Sequence, residues 1–407
     1  MNLRRRLVLL TAVAGPGLLA GLSDDDPAGI TTYSSLGAEY GYRLLWVLLL
    51  STVALALFHD LGARMGIVTG QGLAGLIRET YGVRRGGFAL AMLIVANTGT
   101  TCAEFAGIAA GFELFGVSRY ISVPIAAAGV SFLVLRGSFH RVERVLLGVS
   151  AVFVTYVLSG VLAHPDWSAA LHGSLVPSLP TTRSAVLLAT ATVGTTLAPW
   201  GLSFIQSYAA DKHLTVKDLR LERIDVIVGS VLTGVIGFFV VVACAATLHR
   251  DGLSIHSAAD AALALKPLAG RLAADLFAVG LIGAAILAAS ILPLSTAYSV
   301  GEFVGRETAL DDGPREAPLF YGTYAAIAVV SAGVVLLPGA PLIPILILTQ
   351  VLNAVLLIPL LGFMYGISRD REVMGDHVAS RSAAAGYLVA IAAISICIVA
   401  LGVLSLT

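Results

Sequence analysis

The sequence predicts an all-α polytopic membrane protein of about eleven transmembrane helices, built as a five-plus-five inverted repeat with broken helices 1 and 6. Three observations carry that prediction: an apolar excess, a one-sided distribution of Lys and Arg, and two matching interruptions in otherwise apolar spans. The 407 residues are 57% hydrophobic and only 12% charged, against about 25% charged in ordinary soluble domains. A mean hydropathy of +0.90 leaves more apolar surface than a soluble core of this length can hide. A bilayer accommodates it, given about 20 mostly apolar residues per spanning helix.

Apolar runs bounded by charge or by Pro and Gly place spans near 7–38 (interrupted), 43–67, 88–115, 120–136, 143–163, 185–210 (interrupted), 223–248, 270–302, 318–338, 342–366 and 383–405. The Arg4-Arg5-Arg6 cluster ahead of the first run imitates a signal peptide. No small-residue cleavage site followed by a soluble domain appears, so the run reads as a retained first helix. With the N-terminus in the cytoplasm, 19 of the 25 Lys and Arg fall on the cytoplasmic side and 6 on the other. That bias satisfies the positive-inside rule, and one missed span in the middle would scramble it. An odd number of spans then puts the C-terminus on the opposite side. Short loops and this pattern fit a cytoplasmic (inner) membrane of bacterial type.

Span 1 is interrupted by Ser23-Asp24-Asp25-Asp26-Pro27-Ala28-Gly29 and span 6 by Thr195-Thr196-Leu197-Ala198-Pro199. Five spans separate one interruption from the next. Two inverted repeats with a binding site where broken helices meet leave this mark, although two unrelated Pro kinks would leave a similar one. The repeat reading divides a single transporter domain, 1–407, into repeat one (about 7–163), repeat two (about 185–366) and an extra helix (about 383–405).

The interruptions also hold the chemistry. An ionised Asp at the centre of a spanning helix costs about 2.5–3.5 kcal/mol on insertion scales, so three in a row must line water, bind cations or sit near an interface. The flanks 7–22 and 30–40 together make about one span, which embeds the break in the membrane. Its carboxylates and freed carbonyls are hard oxygen ligands of the kind that hold cations. Asp26, beside the Pro, is the leading ligand, with Asp25 and Asp24 as helpers, vestibule residues or helix caps. The span 6 break carries no charge. Its contribution is a bare carbonyl in the stretch Thr195 to Ala198, because Pro199 has no N–H to donate. Glu104, in the middle of span 3, is a proton carrier, a distant ligand or a structural acceptor for hydroxyls such as Thr100 and Thr101. Gln350 and Asn353, one turn apart in span 10, either coordinate a cation or knit helices together. Asp60 and Arg64, four apart in span 2, read as a structural ion pair. The histidines lie in loops or at span ends, His59 beside Asp60, and none reads as a ligand beside the breaks.

Some activities are excluded. Cys102, Cys244 and Cys397 are too few and scattered for a disulfide framework or a Cys-based zinc site. No P-loop, zincin or nucleophile-elbow motif supports ATP hydrolysis or nucleophilic catalysis, so the chain reads as a transporter rather than an enzyme. Its partners are the lipid bilayer and its cargo, with no nucleic acid, no resident cofactor and no obligate protein partner expected.

The motifs along nearly the whole chain resemble the NRAMP family of divalent-metal transporters. The resemblance is carried by Gly15-Pro16-Gly17, Asp26-Pro27, Leu44-Leu45-Trp46-Val47-Leu48-Leu49-Leu50, Gly66-Ile67-Val68-Thr69-Gly70, Ala103-Glu104, Gly194 to Pro199 and Thr349-Gln350-Val351. It implies a LeuT-like fold and metal held by the Asp and Asn of a D-P-G-N motif with the Met and a carbonyl of an M-P-H motif. Here the first motif reads Asp26-Pro27-Ala28-Gly29, without the Asn, and the second reads Ala198-Pro199-Trp200, without thioether or imidazole. Sulfur favours transition metals over hard ions, so its loss points to a more permissive site, as in the family's magnesium-transporting branch. Thr101 stands where an acidic residue is expected and Trp200 where a His is expected, and both changes count against proton coupling. The resulting expectation is alternating-access transport of Mg²⁺ or Mn²⁺. An organic-cation or amino-acid carrier of the same fold is the alternative, with Trp200 facing a positive group through a cation–π contact.

The orientation is open to a direct check. In a variant lacking the native cysteines, a Cys added after Thr407 should react with a membrane-impermeant maleimide on intact cells. Asn2→Cys should react only after permeabilisation. The reverse pattern would overturn the assignment.

Overall fold

Without water in the hydrocarbon core, every backbone N–H and C=O must find its partner inside the chain, and a run of this composition can do so only as a helix. The computed structural model describes residues 20–21, 23–135, 155–305 and 315–406. Among them there are helices and no strands. The main helices are α1 (Pro27–Tyr40), α2 (Leu45–Thr69), α3 (Leu73–Tyr81), α4 (Val83–Glu113), α5 (Arg119–Leu135), α6 (Thr155–Leu162), α7 (Trp167–Leu175), α8 (Arg183–Thr196), α9 (Pro199–Asp211), α10 (Leu219–Cys244), α11 (Ala273–Val304), α12 (Pro318–Val335), α13 (Leu342–Arg369) and α14 (Arg381–Leu406).

Eight helical stretches among the described residues are long and apolar enough to cross a membrane, counting α8 with α9 as one. They coincide with expected spans 2, 3, 6, 7, 8, 9, 10 and 11. The fourth expected span is the shorter α5, and the first and fifth are represented by α1 with residues 20–24 and by α6. Residues 7–19 and 143–154 of those two spans, and the arginines at 4–6, 136, 141, 144 and 306, lie outside the described residues. Periodicity did not announce the short helices in the connections, α3, α7 and the run of turns from Ala258 to Leu272. They are too brief to carry a repeat, and local chemistry makes them: Asp166 caps α7 by accepting the Ala169 N–H at 3.0 Å, and Ser257 with Asp260 closes a capping box on Ala258–Ala262.

The two breaks have the same construction. Residues 23–24 end a helical segment, 25–26 bend, and α1 restarts on Pro27 with Asp26 in extended geometry (φ −78°, ψ 172°). The α8 helix ends at Thr196, Leu197 and Ala198 are non-helical (Ala198 φ −80°, ψ 142°), and α9 restarts on Pro199. A Pro at the first helical position wastes no hydrogen bond, since that N–H would have no partner anyway.

Around the breaks α4 packs on α11 and α13, α8 on α13, α10 on α1 and α2, and α9 on α2. Glycines let backbones close in. A Cβ on Gly194 would overlap the Gln350 carbonyl, one on Gly107 would overlap the Pro27 ring, and one on Gly21 would lie 2.7 Å from the Gly229 carbonyl. Small residues at such crossings are the membrane substitute for a hydrophobic driving force. The last helix, α14, buries only 17% of its apolar window, which makes it a peripheral helix facing lipid.

The expected Asp60–Arg64 pair does not form. Asp60 instead takes the Arg223 guanidinium at 2.7 and 3.3 Å, joining α2 to α10. Arg64 donates to the Tyr387 hydroxyl at 3.1 Å, joining α2 to α14. Spacing of four along one helix allows a pair, but a bidentate partner on a neighbouring helix is the better-matched acceptor geometry.

These crossings predict a stability effect. Gly194→Ala should lower the stability of the purified protein by about 1–3 kcal/mol, the usual range for overpacking, read as an earlier thermal transition in detergent. Gly362→Ala, with open space around the added carbon, should leave that transition unchanged.

Candidate functional site

Asp26 is held by its own helix. Its Oδ1 accepts the Gly29 N–H at 2.6 Å, and its carbonyl accepts Ile30 N–H at 2.9 Å. That is the N-cap arrangement in which a short acidic side chain satisfies a donor the helix leaves open. The cap turns the carboxylate toward α4, where the Glu104 carboxyl lies beside it. The close seat of Gly107 on Pro27, one turn along α4, sets that approach. Both acids are buried (Asp26 4% exposed, Glu104 0%).

The two breaks meet at Gly29. A methyl built there would sit 2.8 Å from the Asp24 carbonyl oxygen, 3.3 Å from Asp26 Oδ1 and 3.3 Å from Thr195 Oγ1. Three oxygens, two from the first break and one from the second, thus surround one backbone position that only a glycine leaves open. This is the position where the resemblance expects an Asn amide, and the Thr195 hydroxyl and the Asp24 carbonyl crowd that space instead. A second tie joins the breaks through the Tyr33 hydroxyl, which bonds Thr196 Oγ1 at 2.9 Å.

Buried polar atoms normally have partners, yet here they lack them in a cluster. Among the described residues, Ser23 Oγ, both carboxylate oxygens of Asp24, Asp25 and Glu104, Thr195 Oγ1 and Asn353 Oδ1 are buried without a hydrogen bond. Each such atom costs about 1–3 kcal/mol if nothing binds it. The carboxyl oxygens are acceptors of like charge in a low dielectric, where repulsion is strong. A cation relieves both penalties together. The C-terminal ends of the 20–24 segment and of α8 add negative dipole ends at the same place. Among the described residues, no three His, Cys, Asp or Glu side chains converge as a metal-holding group, because consecutive residues at a helix end radiate in different directions. Asp24, Asp25 and Asp26 are therefore not a tri-carboxylate cage, and a cation here would draw on carbonyls, hydroxyls and amides as well.

The remaining predicted residues divide. Asn353 and Gln350 on α13 are buried. Asn353 Nδ2 donates to Thr100 Oγ1 at 2.8 Å and to Gln350 Oε1 at 2.9 Å, so these amides do knit α13 to α4, leaving Asn353 Oδ1 free. The Ala198 carbonyl is not bare, since it accepts a long bond from the Gly201 N–H at 3.2 Å. The carbonyl that Pro199 cannot serve is that of Thr195, four residues back. Thr101 bonds back to the Asn97 carbonyl at 2.7 Å and offers no charge. Trp200 packs its ring in an apolar cluster with Phe204, Leu287 and Ile291, which lends no support to the cation–π contact expected for an organic cargo.

One residue was misjudged from sequence. His59 on α2 is buried (1% exposed), and a methyl on Gly201 would lie 3.1 Å from its Nε2 and 3.9 Å from Asp24 Oδ1. It therefore stands beside both breaks, not out by Asp60. Nothing local signals this, because the alignment of α2 against the start of α9 decides it.

Comparison with known proteins bears on the family and the fold. The sequence profile of the Nramp family, described as natural resistance-associated macrophage protein-like, matches residues 17–404. A divalent metal cation transporter MntH of Erwinia tasmaniensis is 30% identical over 382 residues, 91% of this chain and 89% of that protein. The structure of an Eremococcus coleocola manganese transporter in complex with an aromatic bis-isothiourea compound superposes with a TM-score of 0.76 at 18% identity, covering 95% of this chain and 85% of the other. MhsT in complex with L-phenylalanine superposes at 0.61 and 16% identity, covering 96% and 97%. At those identities the two structures speak for the fold alone, and it is LeuT-like.

A cation that binds the folded site but not the unfolded chain must stabilise the protein, by about 2.7 kcal/mol at a hundredfold excess over its Kd. Divalent ions should therefore raise the thermal transition of the purified protein. Asp26→Asn and Glu104→Gln should each reduce that rise. An ion response identical in both variants would remove the carboxyl pair from the site.

Proposed function

This chain belongs to the Nramp family and is an integral membrane transporter, not an enzyme, and on that premise we propose that it carries divalent metal cations across the cytoplasmic membrane by alternating access. The observation that carries the reading is the buried Asp26–Glu104 carboxyl pair at the meeting of the two helix breaks. Asp26 is the central ligand. The carbonyls of the breaks, including the one Pro199 frees, supply further hard oxygens, and Asp24 and Asp25 raise the local negative potential. Asn353 Oδ1 is the amide oxygen available to join them, with Gln350 as its support. Glu104 balances charge beside Asp26, as a proton carrier or by biasing one conformation. The ion is cargo, bound and released in each cycle, and no resident cofactor is invoked.

Repeat one (about 7–163) and repeat two (about 185–366) are the two bodies that rearrange around the breaks, with the N-terminus inside and the C-terminus outside. Mn²⁺ and Mg²⁺ are the leading cargoes. The Mn²⁺ reading is supported by the likeness to the Eremococcus coleocola manganese transporter. The Mg²⁺ reading is supported by the missing thioether at Ala198. Trp200 and Thr101 remove two groups that would help couple flux to protons.

The test is uptake by purified protein in proteoliposomes. Mn²⁺ flux should be competed by excess Mg²⁺ and should be indifferent to a pH gradient. Asp26→Ala should abolish uptake while the protein still purifies as a monodisperse species. Normal uptake by that variant would refute the assignment of Asp26, and Mn²⁺ flux that brings protons along would refute the uncoupled reading.

A further inference from the structure

Asp24 faces two ways. Its backbone carbonyl joins Asp26 Oδ1 and Thr195 Oγ1 around Gly29, while its Oδ1 and the Nε2 of His59 border the same gap over Gly201. The residue thus links the oxygen cluster at the breaks to an imidazole supplied by a third helix, α2. His59 is 1% exposed and Asp24 is likewise 1% exposed. Among the described residues, neither ring nitrogen of His59 and neither carboxylate oxygen of Asp24 has a hydrogen-bond partner.

A histidine that merely fills a core ordinarily bonds at least one ring nitrogen, because a neutral imidazole carries one N–H and one lone pair and buried polar atoms are mostly partnered. This one bonds neither, although its neighbours are close. Gly201 is the reason the ring fits, since any added carbon there would press on Nε2 at 3.1 Å. His59 lies just past the middle of α2 and Gly201 in the first turn of α9, immediately beyond the second break on the side that the Lys and Arg distribution is expected to place in the cytoplasm.

We propose that His59 is a metal ligand on the cytoplasmic side of the transport path, a nitrogen donor acting with Asp24 that biases the cargo toward transition cations over Mg²⁺ and Ca²⁺. This rests on the reading of the chain as a divalent-metal transporter and narrows its cargo. Imidazole suits Fe, Ni, Cu and Zn, whereas carboxylate, carbonyl and water suit Mg, Ca and Mn. With the family's thioether replaced by Ala198, the imidazole is the one borderline donor that the described structure brings beside the breaks. It restores part of the selectivity that the sequence at Ala198 gives up. In a shell with a nitrogen donor, affinity climbs from Mn²⁺ through Co²⁺ to Ni²⁺ more steeply than in a shell of oxygens alone.

The experiment measures ion-dependent thermal stabilisation of the purified full chain with Mg²⁺, Ca²⁺, Mn²⁺, Co²⁺ and Ni²⁺ in turn, followed by competition of the same ions in proteoliposomes. The wild type should show rising affinity from Mn²⁺ to Ni²⁺ and weak competition by Ca²⁺. His59→Gln and His59→Leu should lower Co²⁺ and Ni²⁺ affinity on the order of tenfold, the scale on which residues of a metal site act, and leave Mg²⁺ and Ca²⁺ unchanged. Gly201→Ala, which keeps the histidine but displaces its ring, should shift the order in the same direction. A uniform loss for every ion, or none, would overturn the proposal and make His59 a packing residue. A wild type that responds to no divalent ion would instead overturn the transporter reading on which it rests.

Discussion

The Asp26 carboxylate has to serve two masters, and much of the surrounding structure follows from that. One oxygen caps α1 by accepting the Gly29 N–H, which fixes where the helix restarts and aims the acid at α4. There it meets Glu104, a second buried acid. Two carboxylates in low dielectric would repel if both were ionised, and the fold keeps the two acids adjacent by covalent and steric means. Pro27 pins the first turn, Gly107 lets α4 ride against the Pro27 ring, and Gly29 leaves space for oxygens from both breaks. Each of these small residues or rings is needed because any bulkier side chain would separate the acids or close the gap between them.

Energetics explain why such a site is confined to so few residues. Most of the bundle satisfies its polar atoms locally, with Ser and Thr hydroxyls bonding back to carbonyls one turn earlier, as Thr101, Thr190 and Ser230 do. Some buried side-chain oxygens elsewhere also lack a partner, Asn97 Oδ1 and both of Glu222 among them, but at the breaks several such oxygens fall close together along the chain. At about 1–3 kcal/mol each, they approach the whole stability of an ordinary domain, about 5–15 kcal/mol. Packing elsewhere must offset them, and a bound cation offsets them most directly. A cation bound at such a site would stabilise the fold in the act of binding.

How much of this was legible in the sequence follows from the range of the interactions. The breaks were legible because Pro27 and Pro199 interrupt helices by local covalent chemistry and because three adjacent acids cannot sit in a regular span. The helices were legible from apolar length alone. What sequence could not supply was the pairing of sites distant along the chain. Asp60 and Arg64 sit at the right spacing for a pair, but Arg223 on α10 offers a better fork, and Arg64 turns to Tyr387 instead. Trp200 follows the break in sequence, yet the turn of α9 carries its ring into an apolar cluster. His59 looked like a span-end residue beside Asp60 until the crossing of α2 with α9 set its ring against Gly201.

The two sides of the first break are held in different ways. At its far end α1 is anchored, with the Ala38 carbonyl bonded to His249 Nδ1 at 2.9 Å in the π-helical turn Ala245–His249 that closes α10. On the other side of the bend, residues 20–24 meet α10 through Gly21 against Gly229 and a bond from the Thr233 hydroxyl to the Gly21 carbonyl. One half is thus tied by a ring lodged against a helix end. Among the described residues of the other half, Gly21 sits against Gly229 and Ala20 joins the apolar cluster around Trp200. Between them lie only the two non-helical residues Asp25 and Asp26. A change of backbone angle at these two residues would move the Asp26 cap and the carbonyls beside it directly. On the proposed assignment of the site, coordination of the cargo would be coupled to conformation through the backbone of the ligand segment itself.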